Sequence, residues 1–208
     1  MILEMIPGKK AQTFMFCKSI RFKEGVNLLI GPNGAGKSCV LLNIVAQAKD
    51  PPRERGRFLR VKGVVETRYY DTEYMNPRTR DMTDAMGSAG MMQLRWHSKS
   101  KSHGQALGPL VGRMMDGEIK KTLGQMKRRR RLVMLLDEPE AGLDQTALAE
   151  FADVVNKWKT KVQFIVATHS VWLWCKLGGH FIVLGGNKNY LSDTMRTWRK
   201  MLLTEAQI

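Results

Sequence analysis

The sequence has few cysteines and no long uninterrupted apolar run. Its 208 residues include three cysteines, and no two of them form a CxxC pair. Such scattered cysteines exclude a disulfide framework and fit a reducing compartment. The N-terminal sequence MILEMIPGKK lacks the apolar core of a signal peptide. The most apolar stretch, residues 164–184, is interrupted by polar residues, so we expect no membrane span and a cytoplasmic protein.

Acidic side chains are also scarce. Lys and Arg total 34 while Asp and Glu total 19, which gives a formal net charge of +15. This excess favours an anionic partner such as nucleic acid, although a basic surface that only maintains solubility would look the same. Hydrophobic residues make up 43% and charged residues 25%. These ordinary values predict a single packed domain over residues 1–208.

Short apolar runs alternate with amphipathic segments along the chain. Such alternation predicts an α/β fold with a mostly parallel sheet. We expect strands at residues 26–30, 60–70, 132–136, 162–167 and 181–184. We expect helices at residues 37–48, 103–123 and 145–157, and a last helix that Ser192 caps and that ends near Leu203. The irregular segment at about 72–127 is predicted to form a small helical lobe.

Residues 31–38 read GPNGAGKS, which is the G-x-x-x-x-G-K-[ST] pattern between a predicted strand and a predicted helix. Glycines allow the backbone N–H groups to surround phosphate oxygens, and the helix N-terminus adds partial positive charge. We expect Lys37 to reach the β- and γ-phosphates of ATP and Ser38 to bind Mg²⁺. The predicted nucleotide-contacting residues of this loop are Gly31, Pro32, Asn33, Gly34, Ala35, Gly36, Lys37, Ser38 and Cys39.

Two acidic residues, Asp137 and Glu138, follow the apolar run LVMLL. Ligands of parallel sheets bind at the carboxyl ends of the strands, so both residues should lie beside the phosphate loop. We expect Asp137 to hold Mg²⁺ through water and Glu138 to orient or deprotonate the attacking water.

Further short motifs select one family. SHGQ (residues 102–105) precedes the acidic strand, AGLD (141–144) follows it, and ATHS (167–170) ends the next strand. Together with the phosphate loop, these motifs stand in the order found in the ATP-binding cassette (ABC-type) ATPases. Residues 20–185 resemble that family, and most closely its small stand-alone ATPases related to the SMC, RecF and OLD groups. No long heptad segment is present, so coiled-coil arms of the SMC type are not expected.

The resemblance implies a Mg²⁺-dependent ATPase that dimerises head to tail around two ATP molecules and couples hydrolysis to a conformational cycle. By the same resemblance, His169 would contact the γ-phosphate and position water, and Asp144 would lie at the dimer seam. The residues that would approach the ATP of the other protomer are Ser102, Gly104 and Gln105. The residues that would carry catalysis are Lys37, Glu138 and His169.

The chain departs from the family pattern in two places. The usual signature is LSGGQ, but here Lys101 replaces Leu and His103 replaces the first Gly. The Q-loop glutamine is not evident, and its place is taken by one of Asp71, Glu73 and Asn76. Both departures count against a transporter subunit. An aromatic that stacks on adenine often precedes the phosphate loop, and the candidates here are Phe14 and Phe16.

Two basic clusters are candidates for contact with a phosphate backbone. The first comprises Lys120, Lys121 and residues 127–131, and the second comprises Arg53, Arg55, Arg57, Arg60 and Lys62. We therefore predict an ABC-type ATPase that acts with nucleic acid in repair or maintenance. The alternative is an ATPase sensor or regulatory subunit of an anti-phage defence complex with a separate effector chain. A transporter ATPase is the third possibility.

Overall fold

The computed structural model of the chain describes residues 2, 4–7, 19–49, 59–62, 65–71, 103–126, 131–141 and 143–205. Strands β1 to β8 are Glu4–Pro7, Ile20–Arg21, Val26–Ile30, Leu59–Lys62, Val65–Asp71, Arg131–Asp137, Gln163–Ala167 and His180–Val183. Helices α1 to α5 are Lys37–Lys49, His103–Gln125, Gln145–Trp158, Val171–Leu177 and Tyr190–Glu205.

Within the described residues, the central sheet has five strands in the order β5-β6-β7-β3-β8, and every neighbouring pair is parallel. A smaller antiparallel sheet has the order β2-β1-β4. The predicted α/β fold with a mostly parallel sheet is therefore confirmed. Because the strands are parallel, the loops after β3, β5, β6 and β7 all emerge at one edge, which positions the candidate site.

The middle strands are apolar because helices cover both faces of the sheet. Along β6, alternate residues enter different clusters: Met134 and Leu136 pack with the α3 residue Phe151, whereas Leu135 packs with Leu41 of α1. This period of two places α1 on one face and α3 on the other. The phosphate loop and the acidic strand end are thus fixed to the most buried part of the molecule.

Two expectations differ from the structure. The strand predicted over residues 60–70 is divided into β4 and β5, which belong to different sheets. Ser192 does not cap the last helix, so that prediction was wrong: α5 begins at Tyr190. The turn before it is closed by Asn187, whose side-chain oxygen accepts from the Asn189 N–H at 2.9 Å and whose carbonyl accepts from the Tyr190 N–H at 3.2 Å.

Of the segment predicted as a helical lobe, residues 103–126 are described and form α2 and the residue after it. Helix α2 packs against α3. Within the described ranges, no helix is both long and apolar enough to cross a membrane.

Candidate functional site

The loop between β3 and α1 has the backbone geometry of a phosphate cradle. Gly31, Gly34 and Gly36 have φ values of 152°, 76° and 85°, which side-chain-bearing residues rarely adopt. Helix α1 starts at Lys37, and its first amide groups have no carbonyl partner one turn earlier. Those N–H groups and the helix dipole favour an anion at this point.

Lys37 lies across this loop rather than in solvent. Its side chain is buried, and Nζ donates to the carbonyls of Gly31 and Pro32, each at 3.2 Å. Burial lowers the Lys37 pKa, and the negative charges of Glu138 and Asp137 partly offset this effect. The ammonium is therefore held over the loop by two carbonyl oxygens, a position from which it can bind a phosphate.

Ser38 and Asp137, both predicted to bind the metal, are brought together. The Ser38 hydroxyl donates to Asp137 Oδ1 at 3.1 Å. Tyr69 on β5 donates its phenol to Asp137 Oδ2, also at 3.1 Å, and the carboxylate is buried. Hydroxyl and carboxylate oxygens suit Mg²⁺, which commonly keeps several waters and phosphate oxygens among its ligands. No cluster of three or more His, Cys, Asp or Glu side chains suited to a metal occurs in the described ranges.

Glu138 and His169 form a second pair at the same edge. Glu138 has a φ of 43°, and its N–H donates to the carbonyl of Ala167 at 2.8 Å, which joins the ends of β6 and β7. Its Oε1 lies 3.4 Å from Nε2 of His169, and its side chain is about half exposed. Non-glycine residues held at positive φ often occur at functional sites. The charge of Glu138 acts on the Lys37 ammonium, so this carboxylate lies near the phosphate loop.

Sequence analysis missed Glu140 and Tyr69. Oε1 of Glu140 accepts hydrogen bonds from the Thr168 hydroxyl at 2.8 Å and from the His169 and Ser170 amides at 2.7 Å and 3.1 Å. The available signal was the third acid in DEPE. Local spacing could not identify the residues that Glu140 and Tyr69 contact. The contacts of Glu140 join the loop after β6 to the loop after β7, and the contact of Tyr69 joins β5 to the end of β6.

The remaining predicted site residues lie in different environments. Asn33 and Cys39 are exposed, whereas Ala35 is buried. Asp144 accepts from the Ala147 N–H at 2.8 Å and so caps α3. Asp71 ends β5 in register with Asp137. Gly104 and Gln105 belong to the first turn of α2. The candidates that lie outside the described residues are Phe14, Phe16, Glu73, Asn76 and Ser102.

Solved structures with a similar fold include ATP-binding cassettes of ABC transporters. A metal-chelate type ABC transporter in an inward-facing conformation matches with a TM-score of 0.50 at 15% identity, over 88% of this chain and 79% of that chain. A nucleotide-free ATP-binding cassette from an ABC transporter gives a TM-score of 0.49 at 14% identity, over 88% of each chain. The chain has the ABC-type P-loop nucleotide-binding fold.

A family model matches residues 122–173, and its description is "AAA domain, putative AbiEii toxin, Type IV TA system". The matched segment runs from the end of α2 to the start of α4 and contains the site residues Asp137, Glu138, Glu140 and His169. Among curated proteins, none matches the chain.

Proposed function

We propose that this protein binds ATP with Mg²⁺ and hydrolyses it. The observation that carries the proposal is the Ser38–Asp137 hydrogen bond of 3.1 Å at the edge where Glu138 and His169 lie 3.4 Å apart. Oxygen donors for a divalent cation and a carboxylate–imidazole pair thus flank a glycine-rich phosphate cradle. Phosphoryl transfer to water needs this combination of parts.

Each residue has a separate task in the proposed reaction. The phosphate loop and Lys37 hold the β- and γ-phosphates, while Ser38 and Asp137 hold Mg²⁺. The cation would neutralise charge that develops on the phosphate oxygens. Glu138 orients the attacking water and accepts its proton, and His169 contacts the γ-phosphate and fixes the direction of attack.

Two variants test this assignment by separating binding from turnover. We expect Lys37→Ala to lose ATP binding, because the ammonium over the loop is removed. We expect Glu138→Gln to bind ATP with near wild-type affinity but to lower kcat by about 100-fold or more. Titration of a fluorescent ATP analogue and phosphate release measure the two quantities. Lys188→Ala, in the exposed turn before α5, is the matched control. Wild-type turnover by Glu138→Gln would contradict the role given to Glu138.

We further propose that ATP joins two copies of this chain head to tail, so that Ser102, Gly104 and Gln105 approach the γ-phosphate held by the other copy. A variant that binds but does not hydrolyse ATP should then accumulate as a dimer. Light scattering of Glu138→Gln with ATP, with ADP and without nucleotide tests this. Dimer with ATP alone supports the proposal, and a monomer under all three conditions refutes it.

Nucleic acid is the partner that the charge distribution favours. Lys23, Arg131, Lys159 and Lys161 are exposed and lie at or just before the amino ends of β3, β6 and β7, at the edge opposite the phosphate loop. Two neighbouring clefts share Glu24, Gly25 and Lys159 as lining residues. We call this set of four cations the basic edge. Clustered exposed cations suit contact with a phosphate backbone.

The ATPase rate with double-stranded DNA, single-stranded DNA and RNA, each at two salt concentrations, tests the nucleic-acid proposal. Stimulation that weakens as salt rises supports it, because phosphate contacts release counterions. The double variant Lys159→Glu/Lys161→Glu should lose the stimulation, whereas Lys200→Glu on α5 should keep it. Stimulation that survives the double variant would refute the assignment to the basic edge.

A regulatory subunit of a defence complex is the second candidate. The observation that favours it is the family model over residues 122–173, whose description names a toxin of a Type IV TA system. In this case the effector would be a separate chain. An ATPase rate indifferent to all three nucleic acids would favour this candidate over the first.

A further inference from the structure

One carboxylate oxygen organises the turn between β7 and α4. Oε1 of Glu140 accepts from the Thr168 hydroxyl at 2.8 Å, from the His169 N–H at 2.7 Å and from the Ser170 N–H at 3.1 Å. Oε2 of the same carboxylate is buried and has no hydrogen-bond partner among the described residues. Hydrogen bonds to an ionised acceptor are about twice as strong as neutral ones. The loop after β6 is thereby fastened directly to the loop after β7.

The imidazole of His169 is held less tightly at Nε2. This atom is buried without a hydrogen bond to any described residue, and Oε1 of Glu138 lies 3.4 Å from it. The position of the ring beside Glu138 therefore depends on where the backbone of His169 lies. The carboxylate of Glu140 bonds that backbone at the His169 amide itself, at 2.7 Å.

The turn does not need Glu140 to begin helix α4. Ser170 caps this helix with its own hydroxyl, which accepts from the Leu173 N–H at 3.3 Å. The Ser170 carbonyl also accepts from the Trp174 N–H at 3.1 Å. The indole N–H of Trp174 in turn donates to the Thr168 carbonyl at 3.3 Å. The Ser170 N–H also donates to the Thr168 hydroxyl at 3.0 Å. Of the two amides that Glu140 bonds, the His169 N–H is therefore the one whose hydrogen bond among the described residues goes to Glu140 alone.

We propose that Glu140 is a positioning residue that acts through His169. Its carboxylate holds the turn at residues 168–170 so that the imidazole stays beside Glu138 and faces the γ-phosphate. This inference rests on the proposed ATPase function and adds a residue to it. Misplacement of a reacting group by about 1 Å can lower a rate about 100-fold. Loss of Glu140 should therefore lower kcat while ATP affinity changes little.

Turnover measurements on a small set of variants test this role. We expect Glu140→Ala to lower kcat about 10- to 100-fold, with the Kd for ATP within about threefold of wild type. Glu140→Gln keeps an acceptor oxygen and should recover most of the rate. Glu150→Gln, on the exposed side of α3, is the matched control. If Glu140→Ala does not fold, Glu140→Asp replaces it in the same kcat and Kd measurements, because it withdraws the carboxylate by one methylene.

A double-mutant cycle separates positioning from a general structural effect. If Glu140 acts through His169, adding Glu140→Ala to His169→Ala should change kcat by less than about threefold, because coupled residues are not additive. A full additional loss in the His169→Ala background would overturn the proposal. So would a wild-type kcat in Glu140→Ala.

Amide hydrogen exchange judges the contact without reference to turnover. The His169 N–H should be protected in the wild type and should exchange at least about tenfold faster in Glu140→Ala. In Glu140→Gln the His169 N–H should remain protected. The Phe164 amide, as an internal control, should remain protected in every variant. Equal exchange of the His169 amide in wild type and Glu140→Ala would overturn the inference. If the wild type did not hydrolyse ATP, the proposed function would fail and the exchange data would still decide the role of Glu140 at this turn.

Discussion

Two glycines of the phosphate loop should respond very differently to the same substitution. A Cβ on Gly31, at φ 152°, would lie 2.6 Å from the carbonyl oxygen of Leu184 and 3.2 Å from the Cβ of Ala35. A Cβ on Gly34, at φ 76°, would meet nothing within 4 Å. The Leu184 carbonyl belongs to backbone that is itself hydrogen-bonded to β3, because the Leu184 N–H donates to the Ile30 carbonyl at 2.8 Å. It cannot move aside as a flexible side chain would.

The magnitudes follow from these surroundings. At Gly34 the alanine adds left-handed strain of about 1–2 kcal/mol, less about 0.4–1 kcal/mol from the restricted unfolded chain. At Gly31 it adds strain of about 1–3 kcal/mol and a steric contact of about 1–3 kcal/mol, less the same unfolded-chain contribution of about 0.4–1 kcal/mol. We expect the free energy of unfolding to fall by about 1 kcal/mol for Gly34→Ala and about 3 kcal/mol for Gly31→Ala.

Urea unfolding followed by circular dichroism measures both free energies under identical conditions. We also expect Gly31→Ala to lose ATP binding, because the start of the cradle must move away from Leu184. Equal destabilisation by the two substitutions, or a larger effect at Gly34, would refute the packing of Leu184 against the phosphate loop.

Three further perturbations address the metal pair, the helix surface and the core. Tyr69→Phe should raise the Mg²⁺ concentration needed for half-maximal turnover about tenfold, because Asp137 loses the phenol bond at 3.1 Å; an unchanged Mg²⁺ titration would contradict this. Bonds from Lys120, Lys157 and Trp158 hold the Asp116 pKa well below its usual range. The stability that Asp116 contributes is present above its unfolded pKa and lost as pH falls below about 4. In Asp116→Asn, the urea midpoint should therefore depend less on pH below about 4 than it does in the wild type. The same pH dependence in both proteins would argue against this role of Asp116. Phe164→Ala, at a fully buried position, should lower the free energy of unfolding by about 3–5 kcal/mol, and a loss under about 1 kcal/mol would be inconsistent with its place in the core.

The sequence predicted those parts of the site that consist of a few neighbouring residues in a local motif. GPNGAGKS and the pair Asp137–Glu138 each combine a strand end with the required side chains, so their positions at the sheet edge were correctly expected. The role of Glu140 was not predictable in this way, because its three donors begin 28 residues further along the chain. The Tyr69–Asp137 bond likewise spans 68 residues.

Fold details followed the same division. The apolar run of β6 was assigned to within one residue at each end, since a fully buried strand has a clear composition. The strand predicted over residues 60–70 was wrong in extent, because β-branched and aromatic composition does not reveal that β4 pairs with β1 while β5 pairs with β6. Strand partners depend on the whole sheet and not on the strand alone.

The length of β6 separates the phosphate loop from the basic edge. This strand has seven residues, which at about 3.3 Å per residue span roughly 20 Å. At physiological ionic strength the Debye length is about 8 Å, so exposed charges at the two edges interact weakly. A signal between the two edges would then travel mainly as mechanical displacement of packed elements. Any stimulation of turnover from the basic edge would be a measure of how rigidly the sheet transmits force.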